Sequence, residues 1–228
     1  AGSARSSRCC GPLPPSSSPT RVFPQVSDIV GNTQTIGEIL PNIARTLNFR
    51  LTVRDNKMYP ESGGVGSADL SFNISAAAGP FQVTAPNTVQ SFSGGQVLPV
   101  TWDVANTTAA PVSCANVDIA LSTDGGYTFP TLLASAVPNN GSFSVALPQV
   151  STAEGRIRVK CSNNIFFDIS NANFSINKEA PVLALPTSYE NPDVDGAFGL
   201  SWVRPAGASG PDTVQESSNC GPSFVDDA

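Results

Sequence analysis

The feature that most constrains the fold is a strict alternation of apolar and polar residues. Between Leu47 and Val53 every second residue is apolar, and the residues between them are polar or charged. A glycine-rich stretch at 63–66 follows, and residues 70–74 then repeat the alternation. Successive side chains of a strand point to opposite faces, so each run predicts a strand with one apolar face. The chain therefore favours sheets over helices.

The alternation continues after Gly79-Pro80, a dipeptide that marks a module boundary. Turn signals such as Asp124-Gly125-Gly126 separate about seven further short runs. These predicted strands lie at 81–83, 97–104, 117–121, 143–147, 157–159, 165–169 and 174–176. Their number and spacing predict a complete β-sandwich of the immunoglobulin or fibronectin type III kind.

The predicted fold class is all-β, with tandem immunoglobulin-like β-sandwiches of which the middle one is complete and the first and last are incomplete. The predicted segments are an extended Ser/Pro-rich stretch at 1–20, an incomplete module at 21–78, the complete sandwich at 79–177 and a partial fibronectin-like module at 178–228. A short helix or turn is expected at 36–40. The outer modules each offer two or three strands, which are too few to close a sandwich.

The absence of histidine excludes several kinds of catalytic and metal site. A Ser-His-Asp triad, a Cys-His dyad and an HExxH zinc site each need an imidazole, and this chain has none. The net charge of −6 argues against a nucleic-acid partner, because that affinity comes largely from Lys and Arg. No stretch approaches the roughly 20 consecutive apolar residues of a membrane-spanning helix. We therefore predict a non-catalytic protein with no cofactor, no nucleic-acid partner and no membrane span.

The five cysteines predict one intramolecular bridge. Cys114 opens one predicted strand and Cys161 ends another, and in an antiparallel pair such positions lie opposite each other. A Cys114–Cys161 disulfide is therefore expected, with buried free thiols as the alternative. Cys9 and Cys10 are adjacent, and one or both could pair with Cys220 or with another subunit. Well-separated cysteines, few lysines and abundant Ser, Thr, Asn and Gly indicate an exported protein.

Two sequence patterns resemble known motifs. Residues 122–129 match the Asp-box pattern S-x-D-x-G-x-T-[WF], and because it occurs once we interpret it as a structural hairpin, with Asp124 accepting backbone N–H groups. Asn191, Asp193 and Asp195 alternate ahead of a glycine as in calcium loops. We favour a turn there, because the twelfth position of an EF-hand loop would be Trp202 rather than a carboxylate. Calcium remains a weaker candidate.

The sequence offers candidate sites for attached sugar and for carbohydrate binding. The acceptor pattern Asn-x-Ser/Thr occurs at Asn73, Asn106, Asn140 and Asn173, although several chance matches are expected in so Asn/Ser-rich a chain. Trp102 and Trp202 hold equivalent-looking places in their modules. We expect both in cores, since carbohydrate stacking would need them exposed.

Several stretches together resemble one known set of modules. They are Arg21-Val-Phe-Pro, Leu40-Pro, ARTLNFRLTVRDN at 44–56, GPFQVTAPN at 79–87, VTWDV at 100–104, LSTDGG at 121–126 and FFDIS at 166–170. They are similar to the non-catalytic β-sandwich modules that follow the catalytic domain in secreted bacterial reprolysin-like zinc metalloproteases. Residues 198–217 resemble the start of a further fibronectin-like module. The resemblance implies no protease activity, because the HExxH-bearing domain is missing.

The incomplete outer modules lead to the functional prediction. A half-built sandwich exposes apolar faces and unpaired strand edges. We expect a secreted bacterial structural protein, a subunit of a surface fibre or pilus-like filament in which copies complete one another's sheets. The expected donor lies within residues 9–30 and includes Arg21, Val22 and Phe23; the expected acceptor is the face formed by Leu47, Phe49, Leu51, Leu70 and Phe72, or the short module after residue 180.

Two alternatives stay open. The chain could be an accessory region of a secreted metalloprotease that serves substrate binding or surface attachment. It could also be a carbohydrate-binding or calcium-dependent adhesin.

Overall fold

The computed structural model of the chain describes residues 20–55, 57 and 63–179. The chain divides into two compact units, residues 1–178 and 179–228. Nearly all of the predicted module at 178–228, including Trp202 and Cys220, lies outside the described residues, as do Cys9 and Cys10. The predicted division into modules is therefore untested at both ends.

The described residues form one short helix and eleven strands. The helix α1 is Val26–Gly31, and the strands in chain order are β1 Arg45–Arg54, β2 Val65–Ile74, β3 Gln82–Ala85, β4 Ser91–Ser93, β5 Val97–Asp103, β6 Asn116–Ser122, β7 Thr131–Pro138, β8 Ser142–Ala146, β9 Thr152–Cys161, β10 Phe167–Ile169 and β11 Phe174–Asn177. This content confirms the predicted all-β class. No helix in the described part of the chain is long and apolar enough to cross a membrane.

Strands β3 to β11 form a two-sheet sandwich. The larger sheet has the order β4-β11-β9-β6-β7, with β10 also paired to β9, and the smaller sheet has the order β3-β5-β8. All pairs are antiparallel except β11 with β4. Between the sheets lies a core of buried apolar side chains from both, including Leu98, Val100, Trp102, Ile119, Leu121, Ile157 and Phe174. The predicted complete middle sandwich is confirmed, and so is the core position of Trp102.

The disulfide joins neighbouring strands of the larger sheet. Strands β6 and β9 run antiparallel, with Val117 opposite Cys161, and Cys114 lies just before β6. The two sulfur atoms are bonded, and the Cα atoms lie 6.0 Å apart. The bridge predicted from the strand ends is therefore confirmed, and the alternative of free thiols is wrong.

Two sandwich strands escape the sequence pattern. Strand β4 is only three residues long, and β7 pairs with β6 through two register shifts, with Ala136 at a φ of 51°. Irregular pairing interrupts the alternation of faces, because an extra residue reverses the side chains that follow it. The sandwich therefore has nine strands rather than about seven.

The first module differs from expectation in two places. The helix forms at Val26–Gly31, whereas residues 36–40 contain only a turn, in which the Glu38 N–H donates to Thr35 O at 2.9 Å. Strand β2 begins at Val65, five residues before the predicted start at Leu70. Gly66 pairs with Val53 in this added stretch, so the end of the glycine-rich sequence belongs to the strand, whereas Gly63 and Gly64 precede it.

Candidate functional site

Strands β1 and β2 form a separate two-stranded sheet, the hairpin sheet, with one apolar face. In its register Leu47 lies opposite Phe72, and Phe49 lies opposite Leu70. Leu51 lies opposite Ala68 on the same side. Residues that face each other across antiparallel strands share a face, so the predicted acceptor residues do lie together. We call this surface the apolar face.

The apolar face is covered at one end and bare at the other. Leu47, near the start of β1, is 6% exposed. The ring of Phe23 packs edge-on against Phe49, with centroids 5.6 Å apart. Farther along, Leu51 and Leu70 are 64% and 56% exposed. The bare part, which also includes exposed Val53, is called the open end.

The opposite face of the hairpin sheet is polar and internally satisfied. Arg50 donates to both carboxylate oxygens of Asp69, at 2.6 and 2.8 Å. This bonding lowers the pKa of Asp69 and raises that of Arg50. Thr46 donates to Asn73 Oδ1 at 2.8 Å. A polar face of this kind can stay exposed to water. The apolar face, in contrast, gains free energy when it is buried.

The described part of the predicted donor is engaged within its own chain. Arg21 forms an ion pair with Glu38, whose carboxylate also accepts the Gln25 N–H at 2.8 Å. Phe23, as described above, already packs against the hairpin sheet of its own chain. Val22 is half-buried beside them. Phe23 therefore covers part of its own chain's apolar face, and Arg21 is held by an ion pair within the same chain.

Helix α1 is attached to the sandwich by a buried arginine. Arg156 Nη1 donates to Val30 O at 3.0 Å and to Ser170 O at 3.1 Å, and Nε donates to Asn173 Oδ1 at 2.6 Å. Burial lowers the pKa of this guanidinium. Asn32 adds a bond to Asn171 O at 2.9 Å. This attachment was missed, because nothing local in the sequence pairs Arg156 with residues 126 positions away.

The Asp-box hairpin has the bonding expected for a structural turn. Asp124 accepts the hydroxyls of Ser122 and Thr128, each at 2.6 Å, and the N–H groups of Tyr127 and Thr128. Burial acts to raise the pKa of Asp124, but these hydrogen bonds outweigh it and lower the pKa to about 2. The carboxylate therefore stabilises a loop.

The last residue of that motif supports an arginine on the outer face of the sandwich. Phe129 lies 4.4 Å from the guanidinium carbon of Arg158, and Phe167 lies 5.8 Å from it. Burial lowers the pKa of Arg158. The stacking was not predicted, although Arg156, Arg158 and Lys160 alternate along β9 and so share one outer face.

The calcium candidates give no site among the described residues. Asn191, Asp193 and Asp195 lie outside them. Within them, no three Asp, Glu or Cys side chains are grouped as metal ligands.

The four glycosylation candidates differ in their surroundings. Asn73 and Asn140 are exposed, on β2 and in the turn before β8. Asn106 is exposed, but its Nδ2, the atom that would carry the sugar, donates to Ala77 O at 2.9 Å. Asn173 is half-buried, with its side chain bonded to Arg156. Asn73 and Asn140 remain the better candidates.

Comparison with known proteins identifies no family for this chain. No family model and no curated protein matches it. Among solved structures, a chimeric titin Z1Z2 functionalised with an exogenous KLER peptide from decorin is similar, at 12% identity over 60% of this chain and 83% of that chain. Its TM-score is 0.27.

Proposed function

We propose that this chain is a non-catalytic structural subunit of an extracellular fibre, in which copies join by β-strand complementation. The observation that carries the proposal is the open end of the apolar face, where Leu51 and Leu70 are exposed on neighbouring strands of a sheet that has two strands among the described residues. Two-stranded sheets are marginal alone in water and become stable when packed or extended.

Self-association would bury the exposed apolar side chains of the open end. Burying one large aliphatic side chain contributes about 1.5–3 kcal/mol, and the open end presents three of them, Leu51, Val53 and Leu70. Both β1 and β2 are edge strands among the described residues, so each offers backbone groups for an added strand. A contact between two different surfaces of identical chains need not close, and repeated addition then builds a filament.

An extracellular setting agrees with the covalent structure. The Cys114–Cys161 bridge lies within the sandwich, and such bridges persist mainly in oxidising environments outside the cytosol. Two exposed acceptor asparagines would also be compatible with a cell-surface glycoprotein. Secretion and surface placement are therefore part of the proposal.

The test compares assembly of the full chain with that of two double variants. Leu51→Asp with Leu70→Asp places charge on the open end. Val89→Asp with Leu132→Asp is the matched control, because both side chains are exposed on the sandwich, Val89 at 85%. Electron microscopy and sedimentation velocity report filaments, and circular dichroism checks that each variant is folded.

We expect filaments from the unaltered chain and the control, and dispersed particles from the open-end variant. Dispersed particles from the unaltered chain at all concentrations would overturn the proposal and favour the accessory module of a longer secreted protein. Equal assembly of both variants would show that the open end is not the contact.

A further inference from the structure

We infer that the open end of the hairpin sheet binds the acidic C-terminal unit, residues 179–228, of a second copy. The inference rests on the proposed fibre and names the segment that completes it. Three observations support the inference: the charge of residues 179–228, their apolar sequence pattern, and the contacts that the N-terminal segment already makes within its own chain.

The chain is strongly asymmetric in charge. Residues 179–228 hold eight Asp and Glu and one basic residue, Arg204, which gives a charge of −7. Residues 1–178 hold eleven Lys and Arg against ten Asp and Glu, a charge of +1. The two values together give the −6 of the whole chain. One end of each molecule is thus acidic and the remainder is nearly neutral.

The hairpin sheet and its flanks are the complementary basic region. Its described residues, 45–55, 57 and 63–74, carry four basic and two acidic side chains. Arg54 ends β1 next to the open end but on the polar face, is exposed, and forms no ion pair among the described residues. A partner strand added along β1, with acidic side chains on its polar face, would therefore meet a positive charge there while its apolar face covers the open end, which favours both encounter and register.

The acidic unit also offers the apolar side chains that the open end lacks. Phe198, Leu200 and Trp202 alternate with small residues, which predicts a strand with one apolar face. A strand of this kind could cover Leu51 and Leu70 while its acidic neighbours lie near Arg54. Backbone pairing along an edge strand would supply the remaining contact.

The N-terminal segment is the competing occupant. Its described part is already engaged in its own chain, through Phe23 on Phe49 and through the bond of Arg156 to Val30 O. Freeing it would break these contacts before new ones form. A head-to-tail contact between the C-terminal unit and the hairpin sheet breaks none of these contacts and leaves one acceptor and one donor free at the ends of every oligomer.

Mixing two full-length variants tests this arrangement. Leu51→Asp with Leu70→Asp damages the acceptor and keeps the donor. Phe198→Asp with Leu200→Asp damages the donor and keeps the acceptor. Each variant alone should be monomeric in sedimentation velocity, and an equimolar mixture should form a heterodimer that extends no further, because only one productive contact remains.

A second test does not depend on the folding of the donor variant, because it changes the charge of the hairpin sheet instead. Arg54→Glu, at an exposed position, should raise the protein concentration needed for assembly at least tenfold at low salt, and the effect should shrink as salt screens the charges. Lys160→Glu is the matched control, since Lys160 is an exposed cation on the sandwich.

The outcomes separate the two proposals. Heterodimers, together with a salt-sensitive effect of Arg54→Glu, support the inference. Filaments from the unaltered chain, combined with a monomeric mixture or with no effect of Arg54→Glu, overturn it and leave the fibre in place. Failure of the unaltered chain to assemble overturns the fibre itself.

Discussion

Trp102 Nε1 donates a hydrogen bond of 2.8 Å to Asn139 Oδ1 inside the sandwich. The Asn139 side chain in turn donates to Thr107 Oγ1 and to Cys114 O, both at 3.0 Å. Trp102 belongs to the smaller sheet, while Cys114 leads into the larger one. A single buried amide therefore links the two sheets beside the disulfide.

Replacing that amide should be costly. Asn139→Ala would leave the buried indole N–H and the Cys114 carbonyl without their partner, and each such group costs about 1–3 kcal/mol. We expect a loss of about 2–4 kcal/mol in the free energy of unfolding. Urea denaturation measures it, with exposed Asn140→Ala as the control, and a loss below that of the control would contradict this role.

Gly155 in β9 should not tolerate a side chain. A Cβ at this position would lie 2.7 Å from Phe174 Cε2 and 2.9 Å from Phe174 O. We expect Gly155→Ala to destabilise the sandwich by about 1–3 kcal/mol through overpacking. Gly66→Ala in β2 is the control, because nothing lies within 4 Å of its added Cβ. Equal unfolding midpoints for the two variants would show that the close packing is not real.

Arg156 should control the attachment of α1 to the sandwich. Arg156→Met removes the bond to Val30 O, and we expect the α1 amides to exchange with deuterium about tenfold faster, as local opening becomes easier. Arg158→Met, two residues along the same strand, is the control, since Arg158 stacks on Phe129 instead. Unchanged exchange in α1 would show that other contacts hold it.

Asp124 should contribute stability that depends on pH. Its pKa in the folded chain is about 2, below the ordinary 3.8, so the ionised carboxylate stabilises the fold above about pH 4. That contribution is lost as pH falls from 3.8 through 2. We expect Asp124→Asn to unfold more easily than the unaltered chain at pH 5 and to differ less at pH 2. A difference in stability between the two proteins that does not change with pH would contradict this role of the ionised carboxylate and indicate a packing effect.

The disulfide should be a major source of stability. Its two cysteines are 47 residues apart, and closing a loop of that length contributes about 4 kcal/mol in the chain-entropy model. Replacing both Cys114 and Cys161 by Ala should lower the free energy of unfolding by roughly 2–5 kcal/mol. Urea denaturation of that variant, with and without reductant, provides the measurement. A reductant effect that persists in it would point to the other cysteines.

Much of the fold follows from local patterns. The alternation from Leu47 to Val53 predicts β1 and its apolar face, and the strand-end positions of Cys114 and Cys161 predict their bridge. Strand β7 was missed because its bulges break the alternation. The β2 start at Val65 was missed because glycines, which favour loops, are paired there by a neighbouring strand.

The sequence by itself determined that the chain forms sheets and which side chains share a face, because period-two alternation depends only on adjacent residues. Tertiary structure alone decided how much of each face is covered. Phe23 shields Phe49 while Leu51 stays bare, and Arg156 holds Val30 across 126 residues. Burial depends on contacts between residues distant in the chain, and no local pattern encodes those contacts.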